Sequence, residues 1–123
     1  MTEPDGGQPI IAIVGPCAAG KSSLAARLLE AGYKAHQIAQ EHSFVQDMWL
    51  VFSSPDILIY LASTYEACER RKHLNWTEDD FSEQLRRLAH AREHCDIFID
   101  TTDLTEDEVA SKALKELEAY FAT

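Results

Sequence analysis

The chain is poor in several things, and each shortage removes a class of protein. No apolar run approaches the ~20 residues that a membrane-crossing helix needs. Cysteine occurs three times, at Cys17, Cys68 and Cys95. An odd number at wide spacing argues against a disulfide framework and against a zinc site. Basic residues are few, 11 against 21 acidic ones, for a net charge of −10. That balance opposes long-range attraction to nucleic acid or to an anionic membrane, and neither is an expected partner. Residues 1–9 are rich in Gly, Pro and acid and lack the apolar centre of a signal peptide. They read as a loose tail, and the expected location is cytoplasmic. There is no internal repeat.

What is present fits one domain over residues 10–123, with 46% apolar residues for its core. Its most informative stretch is Gly15-Pro16-Cys17-Ala18-Ala19-Gly20-Lys21-Ser22, which matches G-x-x-x-x-G-K-[ST] at every fixed position. The apolar run 10–14 reads as a buried strand before it, and 22–30 reads as a helix after it. The glycines let the backbone curl so that successive N–H groups face one anion. The helix start, with Ser23 in its first turn, adds unpaired N–H groups and the positive end of the dipole. Lys21 is expected to reach the β- and γ-phosphates of a nucleoside triphosphate, and the Ser22 hydroxyl to ligate Mg²⁺. On this reading Lys21 points at ligand, so Lys21→Ala should remove triphosphate binding and leave the fold intact. Cys17, beside a helix N-terminus, is either a reactive thiol or a small residue filling the loop.

Strands and helices alternate along the rest. A helix is expected over 21–31, with Gly32 just past its end. A weaker strand follows over 33–39. Ser43 with Gln46 suggests a capping box for a helix over 44–52, ended by Ser53-Ser54-Pro55. Residues 56–62 read as a strand. Thr64 caps a helix to about His73, and Thr77 caps another to about His94 with Phe81, Leu85, Leu88 and Ala89 as its apolar stripe. A last strand covers 96–100, and Thr105 caps a final helix to about Phe121. Continuous apolar strands between amphipathic helices imply a parallel sheet covered on both faces, an α/β/α sandwich of about four strands. Ligands of such sheets bind beyond the carboxyl ends of the strands. That edge should hold 15–22, Glu41, His42 and 100–105, whereas Asp56 begins its strand and belongs to the opposite edge.

From Asp56 onward, Asp-Ile-Leu-Ile-Tyr-Leu-Ala, then Arg70-Arg71, Gln84-Leu-Arg-Arg-Leu88, Arg92 and Ile99-Asp-Thr-Thr102 follow one another. In that order they resemble the small P-loop kinases, the adenylate, shikimate and cytidylate kinase-like group of P-loop NTPases. The resemblance implies ATP and Mg²⁺ as cofactors. It implies that Arg70, or Arg71 next to it, packs on adenine. It makes Arg86, Arg87 and Arg92 candidates for gripping the transferring phosphoryl group, and has Thr101, Thr102 and Leu104 line the base pocket. Adenine rests on this resemblance; the single Asn, Asn75, leaves no Asn-Lys-x-Asp guanine motif.

The chain departs from that group as well. Residues 40–55 leave room for one short helix, so the usual acid-bearing strand and acceptor-binding insertion are missing, and the lid shrinks to about 72–79. Glu41, and after it Asp100, is the candidate acid near the metal, with His42 available to orient a phosphate or take a proton. The helix over 44–52 is apolar nearly all round, and so belongs in the core, in a homodimer contact or beside an acceptor. Two functions stay open. One is a Mg·ATP-dependent kinase-like enzyme passing the γ-phosphate to a small acceptor or to water, with Lys21, Glu41, Arg87 and Arg92 in catalysis. The other is a nucleotide-binding module that acts through a partner or homodimer with little turnover.

Overall fold

The computed structural model describes residues 8–73 and 75–122. Residues 1–7 of the expected tail and Leu74 of the short lid lie outside that range. The elements are β1 (Ile10–Val14), α1 (Lys21–Glu30), β2 (Lys34–Gln37), a 3₁₀ turn (Gln40–His42), α2 (Met48–Ser53), β3 (Ile57–Ala62), α3 (Tyr65–Lys72), α4 (Glu78–Arg87), α5 (Ala89–His94), β4 (Ile97–Asp100) and α6 (Glu106–Ala122). The strands form one sheet in the order β2-β1-β3-β4. All neighbours are parallel, with Ile11 opposite both Ala35 and Ile57, and Ile59 opposite Ile97. No described helix is long and apolar enough to cross a membrane.

Alternation along the strands explains why their sequences are apolar without a break. Ile11, Ile13, Ile57, Ile59, Leu61, Ile97 and Ile99 face one core, closed by Leu24 and Leu28 of α1 and Val109, Ala113 and Leu117 of α6. The intervening Ala12, Val14, Leu58 and Tyr60 face a second core with Trp49, Leu88 and Ala91. The central strands β1 and β3 are thus buried on both faces, as a parallel sheet between helices requires, while the edge strands β2 and β4 bury one face and expose the other. The chain leaves β1 towards β2 on one side and later places β3 on the other. The β1/β3 boundary is therefore the switch point at which such sheets open a crevice.

Local signals account for most boundaries. Gly32 has φ +96°, and Tyr33 N–H reaches Leu28 O at 2.9 Å while Gly32 N–H reaches Leu29 O at 3.0 Å, a Schellman ending for α1. Thr64, Thr77 and Thr105 each accept from a backbone N–H three residues on. Asp56 receives Ile10 N–H at 2.7 Å at the foot of the sheet, the edge opposite the phosphate loop.

Two helices differ from expectation. The helix expected over 44–52 forms only as Met48–Ser53. Ser43 accepts from Val45 N–H at 3.0 Å in a local turn instead of capping a helix. Gln46 is drawn across to the α4–α5 junction, where it donates to Arg86 O at 2.9 Å and accepts from His90 N–H at 3.2 Å. Those two backbone groups are one rung of an uninterrupted helix, so the Gln46 amide inserts into the ladder. Gln40 Nε2 takes Arg87 O as well, at 3.2 Å. The expected single helix to His94 is consequently broken at Leu88, and the buried stripe becomes Phe81, Gln84, Leu88 and Ala91, leaving Leu85 and Ala89 exposed.

Candidate functional site

The loop from Gly15 to Gly20 leaves β1 at the carboxyl edge of the sheet, beside β3. A Cβ on Gly15 would stand 2.5 Å from Leu61 O, so only glycine lets the loop pass this close to the neighbouring strand. Gly20 has φ +107° and Ala18 φ +66°. Left-handed backbone at Ala18 costs energy and persists only when the surroundings hold it. What holds it is Arg71 of α3. Its Nη1 donates to Ala18 O at 3.0 Å, Ser63 Oγ at 3.2 Å and Thr101 Oγ1 at 3.3 Å, and Nη2 donates to Thr101 O. Buried Thr101 in turn donates to Ala19 O at 2.9 Å. The loop is therefore clasped to the ends of β3 and β4 on this flank.

The other flank is held by charge. Lys21, 7% exposed, donates to Gly15 O at 2.9 Å and Pro16 O at 3.0 Å. Its Nζ also lies 3.0 Å from Glu41 Oε2. Glu41 is 4% exposed, and its Oε1 has no hydrogen-bond partner among the described residues. Cys17 N–H donates to Gln84 Oε1 at 3.0 Å, and Gln84 Nε2 to Cys17 Sγ at 3.2 Å. His42 Nε2 lies 3.5 Å from Cys17 Sγ and 3.7 Å from Glu41 Oε2.

A cleft of about 430 Å³ opens on the clasped flank. Residues 18–23, Arg71, Lys72, Thr101, Leu104 and Val109 contribute to its walls. Ser22 is exposed there, and α1 has no acidic side chain in its first turn. The first-turn N–H groups of α1 have no carbonyl ahead of them in the helix, and they present positive partial charge at this edge.

Of the residues named from sequence, 18–23, Arg71, Thr101 and Leu104 meet at the cleft, while Gly15, Pro16 and Cys17 shape the loop behind it. The others are placed elsewhere. Arg70 is exposed and does not line the cleft; one residue further round the helix, Arg71 does. Arg87 is held by Glu83 Oε2 at 3.0 Å and lies over the Phe44 ring, 4.2 Å from its centroid. Arg92 lies over Phe98 at 5.1 Å. Neither lines the cleft: Arg87 is held within α4 by Glu83 and against Phe44, and Arg92 is held against Phe98. Thr102 donates from N–H and hydroxyl to Asp100 Oδ1, at 2.9 and 2.6 Å. Those bonds, side-chain first and then backbone, hold the Asp100 carboxyl below its ordinary pKa against slight burial, with Arg71 and Lys112 helping. Asp100 thus closes a turn.

Lys21 is also a correction. It lines the cleft yet is buried in an ion pair, so removing it strands a carboxylate as well as a ligand contact. Cys68 is buried and burial pushes its thiol pKa up; the same cause, with Asp96 next, raises Cys95. In the sequence Gln84 and Lys72 figure only in the run 84–88 and at the start of the short lid, with no role of their own; ordinary polar residues on exposed-looking helices carry no motif. No protein-family model matches the chain, and no curated protein matches it in sequence.

Proposed function

We propose that the chain is a Mg²⁺-dependent, ATP-binding P-loop protein of kinase-like α/β/α type that transfers the γ-phosphate to a small acceptor or to water. The observation that carries this reading is the cleft itself. It lies at the carboxyl edge beside the β1/β3 boundary, between a G-x-x-x-x-G-K-S loop and the open start of α1. A triphosphate fits that chemistry, with residues 18–23 offering N–H groups and with Lys21, Arg71 and Lys72 offering positive charge.

The oxygen donors suit a hard cation. Ser22 Oγ is on the cleft side, and Glu41 has a buried oxygen with acceptor capacity to spare. Ser22, and Glu41 from behind the loop, would hold Mg²⁺ directly or through its waters, and the ion would supply positive charge to offset that of the phosphates. Lys21 exchanges Gly15 O and Pro16 O for phosphate oxygens. Arg71 keeps the loop curled throughout, and Leu104 and Val109 offer apolar surface to a base.

A second reading, a nucleotide-binding module acting through a homodimer or protein partner, draws on a different observation. Phe44, Val51 and Phe52 are 84%, 73% and 80% exposed. Arg87 and Arg92 lie away from the cleft, which removes two expected transition-state cations.

The test is calorimetric titration of the full chain with Mg·ATP, followed by separate measurement of ADP and free phosphate. Ser22→Ala and Lys21→Gln, folded by circular dichroism, should bind at least ~10-fold more weakly, the worth of a charge-assisted bond. ADP in excess of phosphate identifies transfer, and equal amounts identify hydrolysis. Binding without product, with a nucleotide-dependent sedimentation change, selects the module. Wild-type protein that binds no nucleotide ends the proposal.

A further inference from the structure

Cys17 and His42 do not line the cleft, and both converge on Glu41 behind the loop. The thiol, the imidazole nitrogen and the carboxylate oxygen lie within 4.8 Å of one another. The individual separations are 3.5 Å for Sγ to Nε2, 3.7 Å for Nε2 to Oε2 and 4.0 Å for Sγ to Oε2. Tetrahedral metal bonds of ~2.0–2.3 Å put neighbouring donor atoms about 3.4–3.6 Å apart. The three atoms therefore already stand within a few tenths of an ångström of one face of such a tetrahedron. A second observation comes from Glu41. Its Oε2, which faces Cys17 and His42, is shared with Lys21 Nζ at 3.0 Å, while its Oε1 is buried with no partner among the described residues; a divalent cation held through both oxygens would satisfy that second atom.

We propose that Cys17 Sγ, His42 Nε2 and the Glu41 carboxylate form a binding site for a thiophilic divalent metal ion of the Zn²⁺ class. The fourth position is left to water. A thiolate and an imidazole select Zn²⁺ or Co²⁺ over Mg²⁺. Binding takes the Cys17 proton to solvent and uses the neutral form of His42. The resulting thiolate and the carboxylate, which Lys21 shares, offset the charge of the ion in part. Gln84 Nε2, 3.2 Å from the sulfur, supplies the outer hydrogen bond that steadies a thiolate ligand. The His42 side chain is 59% exposed and gives the ion a way in. None of the three residues lines the triphosphate cleft. The site thus fastens the loop to the turn after β2 from behind; Glu41 is common to it and to the proposed Mg²⁺ position, and a titration without nucleotide and Mg²⁺ keeps the two apart.

The test uses the full chain, reduced, stripped with a chelator, free of nucleotide and Mg²⁺, and titrated with Co²⁺. One Co²⁺ per chain should bind, with a near-ultraviolet thiolate charge-transfer band and the visible bands of a four-coordinate site, and Zn²⁺ should displace it. Cys17→Ser should abolish the charge-transfer band and Cys95→Ser should keep it. His42→Ala, at an exposed position that the fold does not need, should raise the Co²⁺ Kd at least ~10-fold. Absence of the band at stoichiometric Co²⁺, its survival in Cys17→Ser, or an unchanged Kd in His42→Ala would overturn the site. Mg·ATP affinity measured with a Zn²⁺-selective chelator present reads the triphosphate proposal separately.

Discussion

The two flanks of the phosphate loop are fastened by different physics. On the cleft side, Arg71 and Thr101 hold the carbonyls of Ala18 and Ala19, and none of these bonds opposes a ligand in the cleft. On the far side, Lys21 and Glu41 hold the loop through a buried ion pair that the proposed triphosphate would have to rearrange. One flank sets the shape of the loop. The other sets how readily it changes partners, since a buried charge is stable only while it has one.

The largest expected effect breaks the charged flank. Lys21→Ala should cost about 3–5 kcal/mol in urea unfolding, because it leaves Glu41 buried and uncompensated. Adding Glu41→Leu should restore most of that loss. A Lys21→Ala protein as stable as wild type would show that the pair is not closed in solution. Next comes the shaping flank. Arg71→Ala should cost about 1–2 kcal/mol, a charged hydrogen-bond donor discounted for its partial exposure, and should loosen amide exchange at residues 16–20. Thr101→Val keeps the volume and removes one buried hydroxyl, for about 1 kcal/mol. Equal effects from all three changes would erase the distinction between the flanks.

The smallest effect depends on pH. The Asp100 carboxyl is held below its ordinary pKa by Thr102, so its contribution is present above the unfolded pKa, ~3.9. It is lost as pH falls through the lower folded value. Melting curves should show Asp100→Asn less stable than wild type near neutrality, with the gap closing below about pH 4. A gap that persists unchanged in acid would show that the Thr102 bonds do not discriminate the charged form.

How much of this was legible in the sequence follows from the range of the forces involved. The runs at 10–14 and 57–62 are apolar because both faces are buried, and that signature is local. So are the three threonine caps and the tight glycine turn that carries the chain from β1 to α1. The order β2-β1-β3-β4 matches the small parallel sheet expected of such alternation. The helix start at Ser43 misled because Gln46 has partners forty and more residues away. The same insertion broke the helix at Leu88. Widely spaced cysteines argued against a zinc site; the fold brings Cys17 to a histidine and a glutamate from the far side of β2, the grouping on which the proposed metal site rests. Cysteine spacing by itself carries no record of such neighbours of other residue types.

Three glutamines connect these parts. Gln84 holds Cys17 N–H, Gln46 occupies the Arg86–His90 rung, and Gln40 joins Arg87 O to Val45 O and receives Trp49 N–H. An amide carries a donor and an acceptor with no net charge. The bonds of this scaffold therefore do not depend on the Lys21–Glu41 charges. Loss of either charge should loosen the grip on the loop while the frame that presents it stays assembled.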